Sequence, residues 1–294
     1  MNDRLSDAHK ISIGAAQFGF PYGIANKTKN FNLGNINEII RCAEKNKIDL
    51  IDTAILYGDS EHNLGSVGVS NFKVITKLPS LIDNQKDLSK WVNDQVDASL
   101  SRLKIKKLYG ILLHKADDLL GPRGEELYKI INELKAQKAL KIGISIYDYF
   151  ILDQVIDRFN IDIVQAPFNL FDRRMEKNGR FKKLEEKGIE IHIRSIFLQG
   201  LLLMNKEDIP NYFKRWEQLF FDYHRWLDSN KISPIDACIS FLNQFKEINK
   251  IIIGIDSLIQ LEEILVSSKK SLHTTCPEFS CEDLDLINPS NWKL

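Results

Sequence analysis

The sequence predicts an α/β protein built as a single (β/α)8 TIM barrel over residues 1–294. Three observations carry that reading. Short, continuously apolar, β-rich runs recur along the chain, amphipathic segments of helical period lie between them, and nearly every run ends on a polar or charged residue.

In order, the strand runs fall at 11–14, 48–52, 74–77, 108–114, 142–145, 161–165, 189–195 and 251–254. Continuous rather than alternating hydrophobicity suits parallel strands covered on both faces. Helical segments are expected at 35–46, 85–103, 124–138, 147–159, 181–187 and 257–269. The rival fold, a doubly wound open sheet, would carry a glycine-rich turn after its first strand, and Gly14-Ala15-Ala16-Gln17-Phe18-Gly19 is not G-x-G-x-x-G. The interval 196–250 between strands seven and eight is an extended insertion with two expected helices, 212–229 and 234–245. The tail after Ser271 is expected to drape over the barrel mouth.

Composition narrows the function classes. At 44% apolar and 27% charged, the 294 residues can bury one large core. Forty basic residues balance forty acidic ones, so no bulk field recruits nucleic acid or an anionic membrane. The apolar runs are too short to cross a bilayer, and the first ten residues lack a secretory apolar core. Cys42, Cys238, Cys276 and Cys281 are scattered. These features point to a reducing, cytoplasmic compartment and by themselves name no function.

The strand ends carry the chemistry. Asp52, Lys77, His114, Ser145, Gln165 and the Arg194-Ser195 pair close strands two to seven, and in a parallel barrel these ends converge on the face where barrel enzymes work. Tyr57 lies in the loop leaving strand two. An ammonium at Lys77 would lower the phenol pKa, Asp52 would hold that ammonium charged, and neutral His114 would orient a carbonyl oxygen. Reduction of a carbonyl at carbon needs a proton at oxygen, which this quartet would supply.

The same residues sit in segments that resemble the aldo-keto reductase family. The strings are Asp52-Thr53-Ala54-Ile55-Leu56-Tyr57-Gly58-Asp59-Ser60-Glu61 followed by Leu64-Gly65, Ile75-Thr76-Lys77, Leu112-Leu113-His114, Lys141-Ile142-Gly143-Ile144-Ser145, Val164-Gln165-Ala166-Pro167-Phe168-Asn169 and Arg194-Ser195. The resemblance implies a catalytic tetrad of Asp52, Tyr57, Lys77 and His114, with Tyr57 as general acid/base in interconverting an aldehyde or ketone and its alcohol. It implies a nicotinamide nucleotide bound near Gly14, with Ser145 and Gln165 on the carboxamide and Arg194 stacked on the ring. The loop through Ser195, Leu198 and Gly200 would pass the pyrophosphate, and Gly254, Ser257 and Gln260 the adenosine end. Ala16-Gln17-Phe18-Gly19, Tyr22 to Lys27 and Phe197-Leu198-Gln199-Gly200 narrow the resemblance to a bacterial branch linked to surface-polysaccharide and nucleotide-sugar pathways, which suggests a sugar or sugar derivative as substrate.

Departures from the family pattern bear on the cofactor. The Ser-Asn pair reads Ser145-Ile146, losing one amide, and a common small hydroxyl residue reads Ala15. The stretch between Gly65 and Phe72 is short, so the helix after strand two is expected to be trimmed. NADP(H) is expected ahead of NAD(H) by family habit, although Asp256 stands where a 2′-phosphate would prefer a cation.

Other features take plainer readings. Gly68-Val69-Ser70-Asn71-Phe72 copies a family string but precedes strand three and is read as a loop. His273, Cys276 and Cys281 fit no zinc spacing, and no metal is expected. His62 and His192 are read as structural or solvent-facing, and Arg173-Arg174 suits either a phosphorylated substrate or rim salt bridges. The competing function classes are a nucleotide-sensing or partner-binding protein on a reductase fold, and a sugar rearrangement or dehydration with retained cofactor.

Overall fold

Eight parallel strands pair in chain order, and the last returns to the first: β1 (Ile11–Gly14), β2 (Leu50–Asp52), β3 (Lys73–Leu78), β4 (Leu108–Leu113), β5 (Ala139–Ser145), β6 (Ile163–Pro167), β7 (Glu190–Arg194) and β8 (Ile248–Gly254). Closure leaves no sheet edge. The computed structural model describes residues 10–21, 23–24, 32–82, 85–270 and 276–294. His273, Tyr22 and residues 25–27, named above, lie outside the described residues.

The helical segments form where the sequence supplies an apolar stripe and a start signal. Helices α1 (Leu33–Lys45), α3 (Leu88–Leu103), α5 (Tyr149–Arg158), α8 (Pro234–Asn243) and α9 (Leu258–Ser267) begin behind Asn32, Asp87, Asp148, Ser233 and Ser257, each of whose side chains accepts from a backbone N–H of the first turn. Helices α4 (Gly124–Gln137) and α6 (Arg180–Glu186) also match their expected places. In chain order α2 (Ser60–Val67) follows β2, and it is a full two-turn helix.

The insertion after β7 opens with 3-10 turns, among them Asn211–Trp216, and continues as α7 (Glu217–Asn230) and α8. The single helix expected over 212–229 is thus 3-10 for its first turns. The described tail carries a short helix, α10 (Leu284–Ile287), and packs on the insertion and the loop after β6. Phe279 stacks edge-on against Phe171 and Tyr223, Trp292 stacks against Phe213, and the Cys281 N–H donates to the Phe171 carbonyl. The described tail residues cover this side of the rim, and none lines the central cleft.

Inside the barrel the side chains form three levels. Leu50, Ile75, Leu112, Ile163 and Ile252 fill the middle. At the N-terminal ends lies a polar plug. Glu190 accepts from Tyr109 (2.7 Å), Lys141 (2.5 Å) and the His192 ring (3.1 Å), and Asp49 joins Lys73 (2.8 Å) to Lys250 (2.5 Å). The apolar middle lies between this plug and the C-terminal face.

Candidate active site

At the C-terminal face Lys77, 1% exposed, points its ammonium at Asp52 (2.6 Å) and at the Thr53 carbonyl (2.9 Å). The other Asp52 oxygen accepts from Gln165 Nε2 at 2.7 Å, and Gln165 Oε1 faces the Ser145 hydroxyl at 3.4 Å. Tyr57 stands over this buried pair. The Lys77 Nζ lies 4.9 Å from its ring centroid, and the rings of His114 and Phe20 meet it edge-on at 5.9 and 6.1 Å.

The loop carrying Tyr57 is fixed by local sequence. The Tyr57 N–H donates to Ala54, its carbonyl accepts from Ser60 N–H, and the Ser60 hydroxyl donates to the Ala15 carbonyl. Gly19 passes so close that a Cβ there would overlap the Tyr57 carbonyl. Glu61 turns inward, accepting from Thr76 (2.6 Å), Ser99 (2.5 Å) and Arg102 (2.8 Å), while Gly65 lies against the Arg102 backbone. The string from Asp52 to Gly65 thus presents a phenol at one end and locks α2 to α3 at the other.

Burial sets the electrostatics. It pushes the Tyr57 phenol well above its ordinary pKa, Asp52 adds to that push, and Arg194 opposes it. This corrects the expectation that Lys77 lowers the phenol: the ammonium is neutralised by Asp52 in direct contact. Burial also lowers the Lys77 ammonium, with Asp52 opposing. His114 is pushed down to about 4 by burial and by the cations of Lys77 and Arg194. Its ring is therefore neutral above that pH, and its buried Nδ1 has no hydrogen-bond partner.

Tyr57, His114 and Asp52 open onto a cleft of about 1110 Å³, counting the solvent at its mouth. The loop from β7 forms one wall, with left-handed backbone at Ser195 (φ 59°), Leu198 (φ 48°), Gln199 (φ 53°) and Gly200 (φ 91°). Such a concentration of unfavourable conformers is held in place by its surroundings; Asn169 Nδ2 donates to the Ser195 carbonyl at 2.9 Å. The far wall is Gly14 and Gly254 with Gln17, Asp256 and Gln260. Gln17 Oε1 and Asp256 Oδ1 are buried there without a partner, which leaves acceptors for a polyhydroxylated ligand.

A family profile described as Aldo/keto reductase family matches residues 10–275. The chain belongs to the aldo/keto reductase family. It is accordingly an NAD(P)H-dependent oxidoreductase acting on carbonyl compounds. Solved structures of other proteins share the fold. The aldo-keto reductase AKR11C1 from Bacillus halodurans, in its holo form, superposes with a TM-score of 0.72 at 18% identity over 90% of this chain and 88% of that one. A protein of Pseudomonas aeruginosa described as an aldo-keto reductase superposes with a TM-score of 0.65 at 16% identity, over 90% and 93%. No curated protein matches this reductase by sequence.

The reductase brings most of the expected site residues to the cleft. Asp52, Tyr57, His114, Gly14, Ser145, Arg194, Ser195, Gly200, Gly254 and Gln260 line it. Lys77 and Gln165 stand directly behind, Leu198 contributes a buried side chain under the loop, and the Ser257 hydroxyl caps α9 by accepting from Gln260 N–H. Arg173 and Arg174 form the rim salt bridges, with Glu176 (2.5 Å) and Asp172 (2.7 Å). Gly68 to Phe72 precedes β3, where Asn71 bonds Glu44. His192 is buried against Glu190. Among the described residues no group of His, Cys, Asp or Glu is arranged to hold a metal ion, and no helix is long and apolar enough to cross a membrane.

Sequence reasoning passed over Tyr147 and Gln17 as lining residues. Gln17 follows a predicted strand end by three positions, a signal that was available. Tyr147 gave none, because it stood inside an expected helix and α5 begins two residues later.

Proposed function

We propose that this reductase interconverts an aldehyde or ketone and its alcohol with Tyr57 as the proton donor and acceptor, in one barrel domain. The observation that carries the reading is the convergence of Tyr57, Lys77, Asp52 and His114 at the floor of a cleft that runs on to Gly254, Asp256 and Gln260.

The cleft suits a nicotinamide nucleotide. Its unpartnered acceptor atoms, Gln17 Oε1 and Asp256 Oδ1, and its left-handed loop fit an extended polar ligand. When bound, the nucleotide supplies the hydride. Ser145 and Gln165 would hold the carboxamide, Arg194 the ring, and Gln260 with Gly254 the adenosine end. Asp256 would repel a 2′-phosphate and accept from ribose hydroxyls, which supports NAD(H) over the NADP(H) of family habit.

The chain's own groups manage the proton. Tyr57, kept protonated by burial and by Asp52, stands ready to give its proton at Oη to the carbonyl oxygen. Neutral His114 offers an N–H that orients that oxygen. Once the proton has left, the Arg194 cation favours the phenolate, while the Lys77–Asp52 pair, tied also to the Thr53 carbonyl, fixes the floor under the ring. The reverse reaction uses the same phenolate as base. A sugar or sugar derivative is the substrate class suggested by the segments around Gln17 and Phe197.

Replacement of Tyr57 by Phe tests the reading. Turnover of aldehydes with reduced nucleotide is expected to fall by about 10²–10⁴-fold, with nucleotide affinity nearly unchanged. Unaltered turnover refutes the role, and nucleotide binding by the parent protein without turnover of any carbonyl points to a sensor.

A further inference from the structure

Tyr147 lies in the loop leaving β5 and Arg194 closes β7, two strands away, yet their side chains meet at the cleft wall. The Arg194 guanidinium carbon lies over the Tyr147 ring, 3.9 Å from its centroid, a close cation–π contact. Arg194 also donates to the Ile146 carbonyl (2.8 Å) and to the Ser195 hydroxyl (3.2 Å). Both residues line the cleft, and Tyr147 is 37% exposed, so its ring covers no core. The loop leaving β5 thus contributes three consecutive features to one spot: the Ser145 hydroxyl, the Ile146 carbonyl and the Tyr147 ring.

We propose that Tyr147 is a positioning residue that holds the Arg194 guanidinium as a flat platform for the nicotinamide ring. The inference rests on the proposed binding of a nicotinamide nucleotide in this cleft. A guanidinium has two faces; the Tyr147 ring lies over one, and Arg194 also lines the cleft. An unsupported arginine would lose rotamer freedom on binding; one fixed beforehand by a ring and a carbonyl loses less. The arrangement also accounts for Ile146. Its side chain is buried at 2% exposure and cannot reach the cleft, but its carbonyl anchors Arg194, so the position where the family pattern carries an amide contributes through the backbone.

The test is a binding titration of reduced nicotinamide nucleotide, followed by its own fluorescence, on the parent protein, Tyr147→Ala, Tyr147→Phe, Arg194→Ala and the Tyr147→Ala/Arg194→Ala double variant. Tyr147→Ala is expected to weaken binding about fivefold and Tyr147→Phe by less than about twofold, since the stacked ring is kept. In the Arg194→Ala background the Tyr147→Ala change is expected to add nothing. ADP-ribose, which lacks the nicotinamide and is followed by calorimetry, is expected to bind the parent and Tyr147→Ala equally. Equal nucleotide affinity in parent and Tyr147→Ala, additive losses in the double variant, or an equal loss for ADP-ribose overturns the proposal. Absence of nucleotide binding by the parent protein sinks this inference and the proposed function together.

Discussion

Gln165 donates to one oxygen of Asp52 at 2.7 Å while Lys77 takes the other at 2.6 Å. The carboxylate is thereby held from both sides, and the residue assigned to the carboxamide is the same one that fixes the base of the tetrad. On the proposed function, cofactor placement and proton chemistry would share this hydrogen-bond chain from Ser145 to Lys77.

That chain predicts non-additive stability. Asp52→Asn and Lys77→Met would each leave one charge buried alone, at a cost of about 3–5 kcal/mol in urea denaturation. The double variant is expected to lose much less than the sum. Additive losses would show that the two groups do not act as a pair.

Two shifted groups set the pH profile. The Tyr57 phenol is raised and the His114 ring is lowered to about 4, so both keep their reductive protonation state across the neutral range. The kcat/KM for reduction is expected to be flat from about pH 5 to 9 and to fall as pH drops through about 4. Alcohol oxidation begins from the phenolate and is expected to rise with pH over the same range. For folding, neutral buried His114 gives stability that is complete above its unfolded value of 6.5 and is lost as pH falls through about 4. A reductive midpoint near 6.5 would contradict the burial of His114.

Gly19→Ala tests the seat of Tyr57. The added methyl would overlap the Tyr57 carbonyl and shift the loop. Turnover is expected to fall by about 10²-fold, the scale of a small misplacement of a reacting group, and a nucleotide titration is expected to change little. Full activity would mean the loop tolerates the displacement.

The opposite mouth makes a separate prediction. Against the burial that opposes it, hydrogen bonds from His192, Lys141 and Tyr109 hold the Glu190 carboxyl down at about 2. Its stabilisation is present above the unfolded value of 4.5 and is lost as pH falls through about 2. Glu190→Gln is expected to lower stability by about 1–3 kcal/mol at neutral pH, with the gap closing between these two values, and to leave turnover intact. Loss of turnover at unchanged stability would join the two mouths.

Asp256 is expected to set nucleotide choice. Removing its charge in Asp256→Ala would raise affinity for NADP(H) relative to NAD(H) by about five- to tenfold, the size of one partly solvated charge contact of about 1–1.4 kcal/mol. Paired titrations with the two nucleotides measure it, and an unchanged ratio places Asp256 away from the 2′ position.

The barrel and much of the cleft were legible in the linear order of residues. Apolar runs of parallel-strand character and their polar closures are local, and a closed parallel sheet sends every strand end to one face; this is why Asp52, His114, Ser145 and Arg194 could be named in advance. Helix α2 was harder to read because Ser60 and Glu61 face inward, so the buried side of the helix is partly polar and its apolar period is blurred. The polar plug around Glu190 was unreadable for a related reason, since Tyr109, Lys141 and His192 meet only through strand register.

The chain alone therefore determined the fold class, the family and the identity of the groups at the mouth. Tertiary structure decided how those groups act: that Asp52 neutralises Lys77, that Tyr57 is raised rather than lowered, that Tyr147 backs Arg194 and that Ser257 caps a helix. Desolvation, stacking and competing hydrogen bonds depend on distance through space, and residues remote in sequence acquire those distances only when the sheet closes.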